Sequence, residues 1–129
     1  MAKSIMKLGG IDEYMQLIQE AGNDILDAAE SAVLAGAEVI LDGMQRRVAK
    51  DTHNLEDHLE MEEPEIDGDF VSVRVGLLHA DAETARYGNV QEFGSSSMGA
   101  QPYVRPAFDE DANKARREMR KALKGFVDQ

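Results

Sequence analysis

The sequence has no cysteine among its 129 residues. This absence excludes a disulfide scaffold, a thiolate metal site and a cysteine nucleophile. The sequence also has no apolar run near the roughly 18 residues that span a bilayer. Its first 14 residues lack a continuous apolar stretch of signal-peptide length. We therefore expect a protein that is made in the cytoplasm, stays soluble and has no membrane partner.

Basic residues are scarce, with 14 against 25 acidic residues and a formal net charge of −11. A protein that binds nucleic acid through its phosphates needs a surplus of Lys and Arg on at least one face. The imbalance is uneven, because residues 11–69 contain 17 acidic and 3 basic side chains, whereas residues 70–129 contain 8 and 9. The acidic first half therefore argues against a nucleic-acid-binding function.

Sequence motifs for catalysis and cofactor binding are also missing. The run Ser95–Ser97 lacks the second glycine of a nucleophile elbow, and no Walker loop or dinucleotide fingerprint is present. The five-residue step from His53 to His58 fits neither helical nor same-face strand spacing for metal ligands, and His79 lies far from both. We expect no enzyme activity, no cofactor and no metal site. A hydrolase that uses a histidine and a carboxylate is the least favoured alternative.

The apolar content of 43% is enough for a folded protein, and the length favours a single domain over residues 1–129. Residues 1–10 are weakly patterned and predict a flexible tail. Apolar positions then recur every three or four residues over 11–21 and 25–48, which predicts two helices separated by a break at Gly22-Asn23. In the second helix, Gly36 and Gly43 would let another element approach closely.

The middle of the chain contains the predicted β-structure. Valine and leucine alternate with polar residues and glycine over 71–77, which predicts a half-buried strand. A turn at Asp67-Gly68-Asp69 makes it the second strand of a β-hairpin. Residues 55–61, after a turn at 51–54, fit either the first strand or a short helix. Residues 79–93 fit either a short helix or an irregular segment.

The strongest pattern lies at the end of the chain, after a Gly- and Ser-rich segment at 94–101 that predicts a mobile loop. Pro106 is placed as the first residue of a helix, with Asp109–Asp111 in its first turn. The apolar stripe of this helix contains Phe108, Ala112, Ala115, Met119, Leu123 and Phe126. The predicted fold class is therefore α+β, with long N-terminal helices, a small antiparallel hairpin and an amphipathic C-terminal helix.

Two short runs in the second half of the chain resemble a known signature. The first run is Tyr87-x-x-Val90-x-Glu92-Phe93-Gly94-Ser95, and the second is Gln101-Pro102-Tyr103-Val104-Arg105-Pro106-Ala107-Phe108. Together they resemble the small head–tail joining proteins of long-tailed double-stranded DNA phages, the tail-terminator or tail-completion proteins. Members of that family typically read Y-x-x-x-V-E-F-G-T-S, a loop and P-F-L-R-P-A. The upstream segment 51–55 resembles their D-T-G-x-L, although His53 replaces the glycine and Ser95 replaces the threonine.

The resemblance implies a non-enzymatic structural protein of a phage or prophage. Such a protein is assembled in the bacterial cytoplasm and belongs to the virion tail or neck. It forms a ring, hexameric by resemblance, that caps the tail tube and meets the head connector, while DNA passes through without specific binding. The motif residues that would carry its interactions are Glu92, Phe93, Gly94, Pro102, Tyr103, Arg105 and Pro106.

The chemistry of these residues suits architecture. The two prolines would fix the entry into the last helix, and Phe93 and Tyr103 would pack on either side of the loop. Arg105 is suited to a carboxylate, and Glu92 is the candidate. The same residues could equally serve the fold and contact no partner.

The charge asymmetry suggests how copies would meet. An acidic first half on one subunit could contact the basic last helix of the next, a head-to-tail contact of the kind that closes rings. The candidate contacts on that helix are Arg116, Arg117 and Arg120. The alternative function is a small acidic adaptor or inhibitor that binds a basic partner without forming a ring.

Overall fold

The computed structural model of the chain describes residues 11–20, 25–48, 54–67 and 70–127. The described residues form α1 (Ile11–Glu20), α2 (Ile25–Arg47), α3 (Asn54–His58), β1 (Glu60–Met61), β2 (Glu65–Asp67), β3 (Phe70–Ser72), β4 (Val75–Gly76), α4 (Ala82–Phe93) and α5 (Val104–Val127). This arrangement confirms the predicted α+β class. The predicted tail at 1–10, the break at Gly22-Asn23, the turn residues 51–53 and the turn residues 68–69 lie outside the described residues.

The two long helices α2 and α5 pack against each other and form the frame of the molecule. The buried positions of α5 recur every four residues, at Ala107, Asp111, Ala115, Met119 and Leu123. Residues four apart are neighbours on a helix surface, so the five form one continuous buried row that turns gradually around α5. Of the predicted apolar stripe, Ala115, Met119 and Leu123 are buried, whereas Phe108, Ala112 and Phe126 are half-buried.

The glycines of α2 face α5 closely, as predicted. A Cβ placed on Gly36 would lie 2.7 Å from Met119 Sδ, and one placed on Gly43 would lie 2.1 Å from Asp111 Oδ2. Both distances are too short for a side chain, so the bare backbone of α2 permits the helices to approach. The helix-propensity cost of about 1 kcal/mol per glycine is offset by this packing.

The core consists of two clusters along the α2–α5 pair. One cluster joins the second half of α2 to α3 and to the start of α5, and contains Ile40, Met44, Val48, Leu55, Leu59, Tyr103, Ala107 and Ala115. The other joins α1 and the start of α2 to the end of α5, and contains Ile18, Ala28, Ala32, Met119 and Leu123.

The β-structure differs from the continuous strand that the sequence predicts over 71–77. β1 pairs with β4 and β2 pairs with β3, both antiparallel. Between these two short ladders, residues 62–64 stand opposite residues 73–74, so one strand carries an extra residue and the pairing is interrupted. Pro64 lies in the longer segment and has no N–H to donate, which suits an irregular position of this kind. The hairpin is therefore present, but in two pieces.

The sequence leaves two interpretations open for residues 55–61 and for residues 79–93, and part of each segment forms a helix. Residues 55–61 contribute to α3 and then to β1, and residues 82–93 form α4. Asp81 caps α4, since its carboxylate accepts hydrogen bonds from Thr84 N at 3.2 Å and from Thr84 Oγ1 at 2.6 Å. Of the described helices, none is both long and apolar enough to cross a membrane.

A substitution at the closest helix–helix contact tests this packing. Gly43→Ala should destabilise the fold by about 2 kcal/mol or more, because the new methyl group displaces the Asp111 carboxylate. The matched control is Gly125→Ala on α5, where an added Cβ meets nothing within 4 Å. That variant should be neutral or gain up to about 1 kcal/mol of helix propensity. Urea unfolding measures both, and equal stabilities would contradict the close approach.

Candidate functional site

The two halves of the motif meet at the carboxylate of Glu92. This side chain lies in the last turn of α4 and its residue is only 4% exposed. Its Oε2 accepts hydrogen bonds from the backbone N–H groups of Tyr103 at 2.8 Å and Val104 at 2.9 Å. Its Oε1 accepts one from the backbone N–H of Arg105 at 3.0 Å. These N–H groups start α5 and have no acceptor within the helix, so Glu92 caps α5 from a different helix.

The Arg105 side chain closes the arrangement from the solvent side. Its Nε donates to Glu92 Oε1 at 3.0 Å, and its Nη2 donates to the main-chain oxygen of Glu92 at 2.6 Å. The predicted Glu92–Arg105 pair is thus confirmed. The guanidinium also lies over the Phe93 ring, 5.3 Å from its centroid. We call the set Glu92, Phe93, Tyr103 and Arg105 the capping cluster.

The start of α5 corrects the prediction for Pro106. The helix begins at Val104, so Pro106 is its third residue and Asp109–Asp111 lie beyond the first turn. The reason is the Glu92 carboxylate, which satisfies the three preceding N–H groups and allows the helix to start before the proline. Pro106 itself has no N–H to satisfy. Sequence reasoning placed the start too late because the capping group comes from another helix.

Burial and charge shift two pKa values in the capping cluster. Burial raises the pKa of Glu92, but the N–H groups of Val104, Arg105 and Tyr103 and the Arg105 side chain outweigh it and leave the pKa below its usual value. Burial and the neighbouring Glu92 charge raise the pKa of Tyr103 to about 12. Glu92 is therefore an ionised structural acceptor at neutral pH and unsuited to general-base catalysis.

The loop that separates the two motif halves is held at both ends by α4. Gly94 N donates to Val90 O at 2.7 Å, and Gln101 N donates to Gln91 O at 2.7 Å. Gly94 has a φ of 79°, a conformation that favours glycine. Residues 95–101 are all exposed. The mobility of this loop stays a prediction.

A small cavity of about 190 Å³ lies beside the capping cluster. Its walls are mainly apolar and come from β4, α4 and the start of α5, including Val75, Leu77, Phe93, Tyr103 and Val104. Glu92 also lines it, but both oxygens of this carboxylate already accept hydrogen bonds from α5. The cavity suits an apolar side chain better than a charged substrate. Phe93 is 59% exposed at its edge.

A second buried carboxylate was missed by sequence reasoning. Asp111 accepts hydrogen bonds from Arg47 Nη1 at 2.7 Å and from Arg46 Nη2 at 3.1 Å, which joins α5 to the end of α2. Arg47 also donates to Glu110 Oε2 at 2.8 Å. The hydrogen bond from Arg47 lowers the pKa of Asp111. The signal that could have revealed this residue is its position, four residues after Ala107 and four before Ala115 on the buried stripe.

The predicted interface arginines lie apart from the capping cluster. Arg116 is eleven residues beyond Arg105, a distance of about 16 Å along a helix. Arg116 and Arg120 are half-buried, Arg117 is exposed, and Arg116 Nη1 donates to Asn113 Oδ1 at 3.0 Å. The structure therefore places the motif residues at one end of α5 and the arginines further along it.

The histidines within the described residues form ordinary surface contacts. His79 Nδ1 bonds to Glu60 Oε1, and His58 Nδ1 bonds to the main-chain oxygen of Asn54 at 2.7 Å. His53 lies outside the described residues. Over the described part of the chain, no group of three or more His, Asp or Glu side chains could hold a metal ion.

The comparisons with known proteins identify no relative of this chain. The chain matches no protein-family model, and no curated protein and no solved structure is significantly similar to it. The functional argument therefore depends on the motif and on the geometry.

Removing the Glu92 charge tests the cap. Glu92→Gln should lower the free energy of unfolding by about 2–4 kcal/mol, because an amide can accept from fewer of the three N–H groups and leaves Arg105 without its partner charge. The control is Glu118→Gln, whose exposed pair with Lys121 at 3.2 Å should contribute about 0.5 kcal/mol or less. A Glu92→Gln variant as stable as this control would contradict the capping role.

Acid should weaken the fold through the same carboxylates. The pKa values of Glu92 and Asp111 are lowered in the folded state, so the unfolded chain binds more protons in acid. The free energy of unfolding therefore decreases as the pH is lowered. Their contribution should be complete above about pH 5 and lost as pH falls through the lowered values. Urea unfolding between pH 3 and 7 should show this loss, and Glu92→Gln should show a smaller one. An identical pH dependence in the two proteins would contradict it.

Proposed function

We propose that this protein is a structural component of the head–tail junction of a long-tailed double-stranded DNA phage or prophage. It forms a ring that terminates or completes the tail tube and helps to join it to the head. Its partners are further copies of itself, the tail-tube protein and the head connector protein. The ring is hexameric by family resemblance, and the protein carries out no catalysis.

The observation that supports this function best is the junction between the two motif halves. Glu92-Phe93-Gly94 ends α4 and begins the loop, and the second half begins α5. Glu92 and Arg105, one from each half, bind each other directly at 3.0 Å. The motif that resembles the phage family is therefore one physical unit in this chain, and its pattern follows from a shared structural task.

The shape of this unit suits a docking role. The hydrogen bonds of Glu92 with the start of α5 and with Arg105 hold the base of the exposed loop 95–101 and of the exposed ring of Phe93. Binding residues are frequently carried on loops held by a rigid scaffold. We assign the loop and Phe93 to the contact with the tail tube or the connector.

The charge of the protein fits the passage of DNA. A net charge of −11 repels phosphate, so a ring of such subunits would let DNA pass without holding it.

Assembly is the direct test of the function. Light scattering after size exclusion and electron microscopy should show rings of the purified protein, alone or on purified tail tubes. A protein that stays monomeric and does not bind tail tubes would contradict the proposal. A monomer that instead forms a salt-sensitive complex with a basic protein would support the acidic adaptor.

The arginines of α5 provide a second test. Assembly should weaken as salt rises, and reversing Arg116, Arg117 and Arg120 to glutamate should impair it by about tenfold or more in the concentration required. Arg117→Glu alone, at an exposed position, should act in the same direction without loss of folding. Arg86→Glu on α4, also exposed, is the control and should assemble normally. Assembly that is insensitive to salt and to these changes would contradict the electrostatic contact.

A further inference from the structure

The β2–β3 hairpin carries Phe70, which is 63% exposed and is the most exposed large hydrophobic side chain of the described residues. Phe70 stands directly opposite Asp67 in the antiparallel register, and opposed residues share a face. Glu65 lies on the same face, since it is two residues from Asp67 on β2. All three are exposed. We call Glu65, Asp67 and Phe70 the outer face of the hairpin.

This hairpin stands at the edge of the described structure. β3 packs against α2, whereas β2 pairs only with β3 within the described residues and is exposed throughout. Residues 60–67 and 70–76 contain five acidic residues and one basic residue, Arg74, which pairs with Glu62. The outer face therefore combines one exposed aromatic ring with two exposed carboxylates.

A complementary surface lies on α5. The exposed cations Lys114, Arg117, Lys121 and Lys124 are spaced by three, four and three residues, which places them on one face of the helix. They extend over about 15 Å. We call these four residues the basic stripe. Of the three arginines named from the sequence, Arg117 belongs to it, whereas Arg116 and Arg120 are half-buried.

We propose that the outer face of the hairpin of one subunit docks on the basic stripe of a second copy of this chain. The contact rests on the proposed ring-forming function and specifies the surfaces that join its subunits. The two surfaces are different, so each copy contacts one neighbour through its hairpin and the other neighbour through its basic stripe. Head-to-tail contacts of this kind generate closed rings when the rotation closes.

The spacings and side-chain chemistry of the two surfaces agree. Carboxylates two residues apart on a strand are about 7 Å apart, and successive cations of the stripe are about 5–6 Å apart. The ring of Phe70 can pack on the methylene stems of lysine and arginine and under a guanidinium. The same chain already uses this contact internally, where Arg105 lies over Phe93.

The ion pairs within the chain leave the cations of the basic stripe able to form ion pairs with another copy. The buried acid of α5, Asp111, is paired with Arg46 and Arg47 of α2, and the hairpin's Glu62 is paired with Arg74. Within the stripe, Lys121 contacts Glu118 at 3.2 Å, but 74% of the lysine side chain is exposed. Such a pair is weak and can be exchanged for an intermolecular one.

Disulfide trapping tests the contact directly, because the chain has no native cysteine. Asp67→Cys and Lys121→Cys proteins are mixed under assembly conditions and oxidised. We expect a mixed disulfide dimer at least about tenfold more abundant than with Glu83→Cys in place of Asp67→Cys, since a disulfide needs Cα atoms within about 7 Å. The double variant in one chain should give a ladder of linked species.

Charge exchange provides the matching functional test. Glu65→Lys with Asp67→Lys should reduce assembly by about tenfold or more, and so should Arg117→Glu with Lys124→Glu. Combining all four changes in one chain should restore assembly to within about threefold of the native protein. Glu38→Lys with Glu83→Lys, at exposed helical positions, is the charge-matched control and should assemble normally.

The outcomes separate this contact from the function on which it rests. Rings that form without selective cross-linking, and whose assembly is unchanged in the charge-exchange variants, would overturn the contact while leaving the head–tail function intact. A protein that forms no assembly, either alone or on tail tubes, would overturn both.

Discussion

At the start of α5, three backbone N–H groups that have no acceptor within the helix donate to the carboxylate of Glu92. Much of the structure depends on these three hydrogen bonds. Glu92 holds α4 against α5, and its position fixes where the 24-residue helix begins. The cap joins the first turn of α5 to the end of α4, close to the positions where Ala107 and Asp111 of α5 contact α2. A carboxylate on one helix therefore anchors the end of the interface between two others.

The sequence predicts the helices well and the connections between them less well. Helical periodicity is a property of each segment, so residues 11–21, 25–48 and the last helix could be recognised from local spacing. The interrupted strand at 71–77 could not, because the extra residue lies in the opposite strand, near Pro64. The Glu92–Arg105 pair was predicted from chemistry. The first residue of α5 was not, since its cap depends on a contact across the loop.

Asp111 shows why charge summed over segments is a poor guide to pairing within the chain. The acidic half contributes Arg46 and Arg47, and the basic helix contributes their acidic partner. A buried carboxylate needs close donors with good geometry, whatever the net charge of its segment. Of the other cations of α5, the four of the basic stripe are exposed and Arg116 and Arg120 are half-buried, so part of the asymmetry that the composition shows is expressed at the surface.

The loop between the motif halves begins and ends on adjacent residues of the same helix. Val90 and Gln91 accept the hydrogen bonds from Gly94 and Gln101, so the path between those anchors can change in length while both ends stay in place. Loop-closure entropy grows slowly with length, and each doubling costs about 0.6 kcal/mol. A peptide epitope or a fluorescent label inserted at residues 96–98 would therefore leave the helical frame undisturbed.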